Sequence, residues 1–146
     1  MNLPSPEIYF ISEKEAYLLT DYTIDTIIGK ITIKRGFIFD GASIPWFAWS
    51  IIGETPFNGK ILPAAIVHDI LYRTHYVGVM KANDVWYDLC KRNDIAWGKR
   101  QVMTQVLNAF GWVAYNRVTP KDIEYYKQFL VVNYYLNLRM ETSILL

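Results

Sequence analysis

Ala64-Ala65-Ile66-Val67-His68-Asp69-Ile70-Leu71-Tyr72-Arg73 sets an imidazole and a carboxylate side by side in an apolar run of helical length. A helix turns about 100° per residue, so His68 and Asp69 leave it in different directions and serve different partners. Burying both in an aliphatic segment is costly unless both are satisfied. The chain has two histidines, and one stands here. Any chemistry this protein performs is expected to pass through this helix.

Working outward, Pro63 suits the first turn of that helix, and Tyr76–Gly78 breaks it. A second helix is expected from about Val79 to Arg92, ended by Asn93-Asp94, and a third from about Ile95 to Asn116. Upstream, Asp40-Gly41-Ala42-Ser43-Ile44-Pro45 marks a change from strand to helix, with Ser43 the expected N-cap of Ile44–Ile52. The first forty residues read as antiparallel strands: Glu7–Ser12, Ala16–Thr20, Thr23–Ile28 and Ile31–Lys34, with a hairpin at Gly29-Lys30. Ile31 and Ile33 should share one face. Phe37-Ile38-Phe39 is an apolar run too short for a helix. Thr119-Pro120-Lys121-Asp122 starts a last helix, Lys121 to Met140, with Tyr125, Phe129, Val132, Leu136 and Met140 as its apolar stripe.

The expected architecture is α+β in a single domain, 1–146. Its parts are a β-rich stretch (1–40), a helical core bearing the motifs (41–118) and a C-terminal helix (119–146). The 146 residues suffice for one real core. The 52% hydrophobic and 20% charged residues argue against disorder. A net charge of +1 argues against broad electrostatic binding to nucleic acid. Cys90 is the only cysteine, so no intramolecular disulfide forms, and an inert buried thiol is expected. No signal peptide and no transmembrane run is read, which points to a host cytoplasm or a virion.

Three blocks together resemble a phage-associated family that carries only an unknown-function label. They are Gly36–Pro45, Ala64–Tyr72 and Ala82-Asn83-Asp84-Val85-Trp86-Tyr87, and the resemblance spans roughly Lys30 to Tyr115. It implies a phage or prophage origin and supplies no mechanism. A more distant resemblance does. Prokaryotic phospholipase A2 enzymes carry an Asp-Gly-x-Ser loop, a His-Asp-x-x-Tyr helix and an Asp on an antiparallel helix. Here Asp40-Gly41-Ala42-Ser43, His68-Asp69-Ile70-Leu71-Tyr72 and Asp84 follow that order. The resemblance implies that His68 is the general base, oriented by Asp84 and supported by Tyr72. It further implies a Ca2+ ion held by Asp69 and Asp40, with backbone carbonyls of Gly41 and Ala42.

The spacing is compatible with this chemistry. Helices joined by a short break pack antiparallel, so His68 and Asp84 can face each other. A carboxylate on one imidazole nitrogen fixes the tautomer and leaves the other to take a proton from water. A calcium ion would polarise an ester carbonyl. Structural alternatives stand beside each element. Asp69 and Arg73 are i,i+4 partners and could form a helix ion pair. His68 and Asp84 could simply pin two helices, and Asp40 could cap a helix.

Trp46 and Phe47, next to the Asp40 loop, are candidate membrane contacts; packing on the sheet is the alternative, and the one favoured for Trp49. His68 and His75 lie about 10.5 Å apart along a helix and cannot share a zinc ion unless the helix breaks between them. Lys91, Arg92, Lys99 and Arg100 read as a solvated helix junction. The apolar C-terminus, Ile144-Leu145-Leu146, could dock a partner or pack on its own domain. Two functions therefore stand open: a calcium-dependent ester hydrolase acting on phospholipid or a membrane surface, and a non-catalytic phage structural or host-interaction protein, bound to virion proteins, that keeps the motif as scaffold.

Overall fold

Among the described residues six short strands and five α-helices make up an α+β fold, and one helix runs through its middle. The computed structural model describes residues 3–133. Strands β1 (Ile8–Phe10), β2 (Ala16–Leu18) and β5 (Ile38–Phe39) form one antiparallel sheet in the order β1-β2-β5. Strands β3 (Tyr22–Thr26), β4 (Gly29–Ile33) and β6 (Leu130–Asn133) form a second in the order β3-β4-β6. The helices are α1 (Trp46–Ile52), α2 (Leu62–Thr74), α3 (Val79–Arg92), α4 (Trp97–Arg117) and α5 (Pro120–Tyr126).

Helix α2 is the axis. Of its thirteen residues only Arg73 is not buried. A helix apolar all round needs neighbours on every side, and α2 has α3, α4, α5 and β5. It stops at His75, whose backbone is left-handed (φ 48°). That conformation is strained for a residue with a Cβ. It is held by an Nε2 hydrogen bond of 2.8 Å to the Tyr115 carbonyl and by ring stacking on Tyr115 at 3.8 Å. His75 is thus fully engaged away from His68.

The hairpin sits two residues earlier than the Gly29-Lys30 signal suggests. Ile27 and Ile28 form the turn and Gly29 is the first residue of β4, paired with Thr26. The Thr26 hydroxyl donates to the Gly29 carbonyl and accepts from the Ile28 N–H, which closes the turn without glycine at its tip. Gly29 (φ 124°) is needed for another reason: a Cβ there would meet the carbonyl oxygen of Asn133 on β6 at 2.5 Å. Ile31 and Ile33 are both buried, as their alternation predicts.

The C-terminal helix is shorter than its apolar stripe suggests. The capping box of Thr119 and Asp122 forms, with Pro120 in the first turn. Helix α5 nevertheless ends at Tyr126, and after one 3-10 turn the chain becomes β6, with Val132 opposite Ile31 and Leu130 opposite Ile33. The β-branched pair Val131-Val132 suits a strand, and β4 needs a partner for its second edge. Leu136, Met140 and Ile144–Leu146 lie outside the described residues.

Helix α4 approaches α2 closely at Gly111, where a Cβ would collide with the Tyr72 hydroxyl. Gly98, on the same helix, faces open space. Gly111→Ala should therefore lower stability by about 1–3 kcal/mol through overpacking, while Gly98→Ala is neutral or slightly stabilising. Urea melts of the two variants check this, and equal midpoints would show that α4 does not rest on Tyr72.

Candidate functional site

The site lies where α2, α3 and the Asp40–Pro45 loop meet. His68 is completely buried. Its Nε2 is 2.9 Å from Asn83 Oδ1, and its Nδ1 is 3.0 Å from Ser43 Oγ. The Tyr72 hydroxyl donates to the same Asn83 oxygen at 2.9 Å, and Asn83 Nδ2 donates to Asn108 Oδ1 on α4 at 2.9 Å. This pattern assigns the protons. An amide oxygen only accepts, so His68 carries its hydrogen on Nε2. The Nδ1 lone pair is left facing the Ser43 hydroxyl. Burial pushes the imidazole down to about 4, against the opposing effect of the Asn83 bond, so the ring is neutral near pH 7.

Asn83 therefore stands where Asp84 was expected. Asp84 is exposed on α3, whereas Asn83 is fully buried. The signal was present in the sequence. Ala82, Asn83, Val85, Trp86, Leu89 and Cys90 are the buried face of α3, and their spacing is that of one helical stripe which skips position 84. Ser43 likewise departs from its expected role. Helix α1 starts at Trp46, after Pro45, with no side-chain cap; the Ser43 hydroxyl turns inward to His68 instead. No local pattern announces this, because the two residues are 25 apart.

Asp69 and Asp40 do come together, but on a guanidinium. Arg73 Nη2 is 3.1 Å from Asp40 Oδ1 and 3.3 Å from Asp69 Oδ2. Arg73 Nη1 donates to the Ile38 carbonyl and to the Tyr126 hydroxyl, and the guanidinium lies 4.8 Å from the centre of the Tyr126 ring. The contact to Asp69 Oδ2 is an ion pair without a hydrogen bond. Burial pushes the Asp69 carboxyl up to about 6; the Arg73 charge pulls it down, the Asp40 charge pushes it up, and bonds from the Ser43 hydroxyl and the Asp40 N–H pull it down. Ser43 thus carries one proton and faces two acceptors, His68 and Asp69.

These residues do not fit a calcium ion as they stand. Calcium needs six to eight oxygens, and both carboxylates are turned onto a fixed internal cation. The Ala42 N–H is also directed to Asp40 Oδ1 at 2.8 Å, which keeps the loop folded back on its own aspartate. Among the described residues no group of three or more His, Cys, Asp or Glu side chains is placed to hold a metal.

Beside the network lies a cleft of about 980 Å³ whose lining includes Gly41, Ala42, Ile44, Pro45, Trp46, Phe47 and Phe110. Trp46 is 79% exposed, and Phe47 meets Phe110 edge-on at 5.6 Å. Trp49 is buried against Trp86 of α3 rather than on a sheet. Among the described residues no helix is long and apolar enough to cross a membrane. Cys90 is buried, and burial pushes its thiol up. Three of the four junction cations have protein partners: Arg92 with Asp88 and the Asp25 carbonyl, Lys99 with Glu54, Arg100 over the Tyr87 ring.

The two buried groups should oppose each other in acid. His68 binds fewer protons folded than unfolded between its ordinary 6.5 and about 4, so the stability it contributes is lost as pH falls through that range. Asp69 binds more protons folded than unfolded between its ordinary 3.8 and about 6, so its burial weighs against the fold as pH rises through that range. Asp69→Asn should therefore steepen the loss of stability between about pH 6 and pH 4, and His68→Gln should flatten it. Urea midpoints across this range test both; parallel profiles for all three proteins would count against these assignments.

Residues 16–106 match the family described as "Protein of unknown function (DUF1353)". The chain is also similar to an uncharacterized protein, y4jT, of Sinorhizobium fredii (strain NBRC 101917 / NGR234). The two are 32% identical over 95 residues, which is 64% of this chain and 28% of that protein. No solved structure matches. The span that matches the family runs from β2 into α4 and contains Asp40, Ser43, His68, Asp69, Tyr72, Arg73 and Asn83, so the chain belongs to the DUF1353 family of proteins of unknown function.

Proposed function

We propose that this protein is an ester hydrolase with His68 as its general base and Asn83 and Tyr72 as the residues that position the ring. The observation that carries this reading is the fixed tautomer: Nε2–H donates to Asn83 Oδ1, so the basic Nδ1 is aimed at the loop that walls the aromatic cleft. A base held in one orientation is what proton abstraction requires. The cleft supports an acyl or lipid-like substrate, because aromatic walls bury hydrocarbon and Trp46 stands exposed at its rim, as Trp does at a membrane–water boundary. The likeness to phospholipase A2 enzymes in the order of the Asp-Gly-x-Ser, His-Asp-x-x-Tyr and helix-pair elements supports the same class. Calcium receives no step in this mechanism, since Arg73 supplies the positive charge that Asp40 and Asp69 share.

The complete burial of His68 favours a second reading. In it the network is a polar staple between helices of a non-catalytic interaction protein, in the phage setting that the sequence blocks suggest. Release of fatty acid from mixed phospholipid vesicles and of nitrophenol from short-chain esters separates the two. The hydrolase reading expects turnover that a chelator leaves unchanged and that falls roughly 10²- to 10⁴-fold in His68→Gln. Wild-type turnover no faster than the variant's would leave the staple as the function of the network. Turnover abolished by chelation would instead require that a cation displace Arg73.

A further inference from the structure

We propose that Ser43 is a nucleophile, so that the site works through a covalent acyl-serine rather than by direct attack of water. This deepens the hydrolase reading and rests on it. The geometry is that of nucleophile, base and orienting group in one line: Ser43 Oγ–H to His68 Nδ1 at 3.0 Å, His68 Nε2–H to Asn83 Oδ1 at 2.9 Å. Serine and cysteine hydrolases on unrelated folds use this arrangement, with Asn as an accepted third member. Here the ring is used in the reverse sense, with Nδ1 toward the nucleophile.

Three further observations bear on the choice of Ser43 over water. The position on Nδ1 that a water would need is taken by the serine hydroxyl itself. Ser43 is 6% exposed, against 0% for His68 and Asn83 and 1% for Tyr72, so within this group of four it has the largest exposed fraction. Its chain neighbours on both sides, Gly41, Ala42, Ile44 and Pro45, line the cleft. The loop that carries Ser43 is therefore part of the cleft's wall. Gly41 sits at the loop's bend with φ 69°, and a Cβ there would press on the Pro56 ring, so the bend is specified by close packing as well as by backbone conformation.

In the first half-reaction Oγ attacks the ester carbonyl carbon and its proton passes to His68 Nδ1. The bond to the leaving alcohol then breaks, and His68 returns the proton to the alcohol oxygen. In the second, water attacks the acyl-serine, again giving a proton to Nδ1, and Ser43 leaves with that proton while the acid departs. Ester and water are consumed, acid and alcohol are formed, and no oxidant, reductant or metal is needed. Asn83 is a positioning residue throughout. The Asp69 carboxylate, the other group facing the hydroxyl, competes with His68 for its proton.

The test is covalent labelling of the whole protein by a small alkyl fluorophosphonate, read by intact mass and by the labelled peptide, alongside hydrolysis of a short-chain nitrophenyl ester. The expected result is one adduct, on Ser43. It should be absent in Ser43→Ala and slowed roughly 10²- to 10⁴-fold in His68→Gln, the range for loss of a general base. Asn83→Ala should slow it as well and shift its pH–rate profile, a readout that a merely structural role for Asn83 would not move. If Ser43→Ala does not fold, Ser43→Cys serves instead: alkylation of that cysteine by iodoacetamide should depend on His68, with Cys90 as the unreactive internal control. Ester hydrolysis that survives in Ser43→Ala without any adduct on the wild type overturns the nucleophile and leaves His68 activating water. Neither adduct nor hydrolysis overturns both readings.

Discussion

One amide oxygen organises the centre of this molecule. Helix α2 is buried along almost its whole length, yet it carries His68, Asp69 and Tyr72. Each of these must find a partner inside the protein. Asn83 Oδ1 takes two of them at once, accepting from the imidazole and from the tyrosine hydroxyl. It thereby fixes the register of α3 against α2, and Asn83 Nδ2 extends the same network to Asn108 on α4. The absence of a side chain at Gly111 lets α4 come near enough for that extension. A carboxylate in this place would bring a charge into a dry interior, whereas an amide meets the same donors without one. The neutral state of His68 follows from the same economy of charge.

The second organising choice is the internal cation. Arg73 leaves the end of α2 and gathers the Asp40 loop, the Asp69 side chain, the Ile38 carbonyl of β5 and the Tyr126 ring of α5 around one planar group. A guanidinium offers five donors in a fixed fork, so it can join several elements that a point charge could not orient. The Asp40–Pro45 loop is therefore held from both sides: by Arg73 through Asp40, and by His68 through Ser43. That loop lines the aromatic cleft. The chemistry proposed for His68 and the shape of the cleft thus depend on the same few side chains.

The α+β class, the bounds of α2, α3 and α4 to within one or two residues and the capping box at Thr119 were readable along the chain, because each rests on local signals: hydrophobic period, proline and glycine placement, and N-caps. The packing of α3 against α2 was readable too, from the short break between the two helices. Asn83 rather than Asp84 was legible in principle, because the buried stripe of α3 includes 83 and skips 84. What misled was the family resemblance, which carried the orienting carboxylate onto Asp84. The fate of residues 127–133 was not legible, since an amphipathic pattern there suits helix and strand alike, and the empty edge of β4 is a distant fact.

The order of residues alone determined that a histidine and an aspartate would be buried on one helix and would need separate partners, because periodicity and composition dictate burial. Which partners they take was decided by tertiary structure. Ser43 is 25 residues from His68, and Arg73 joins Asp69 to Asp40 only because β5 and the loop pack over the end of α2. Hydrogen bonds and ion pairs act over about 3 Å, so they are selected by packing after the helices and sheets have found their places. Of these contacts only the Asp69–Arg73 pair, four residues apart on one helix, is written in the local sequence.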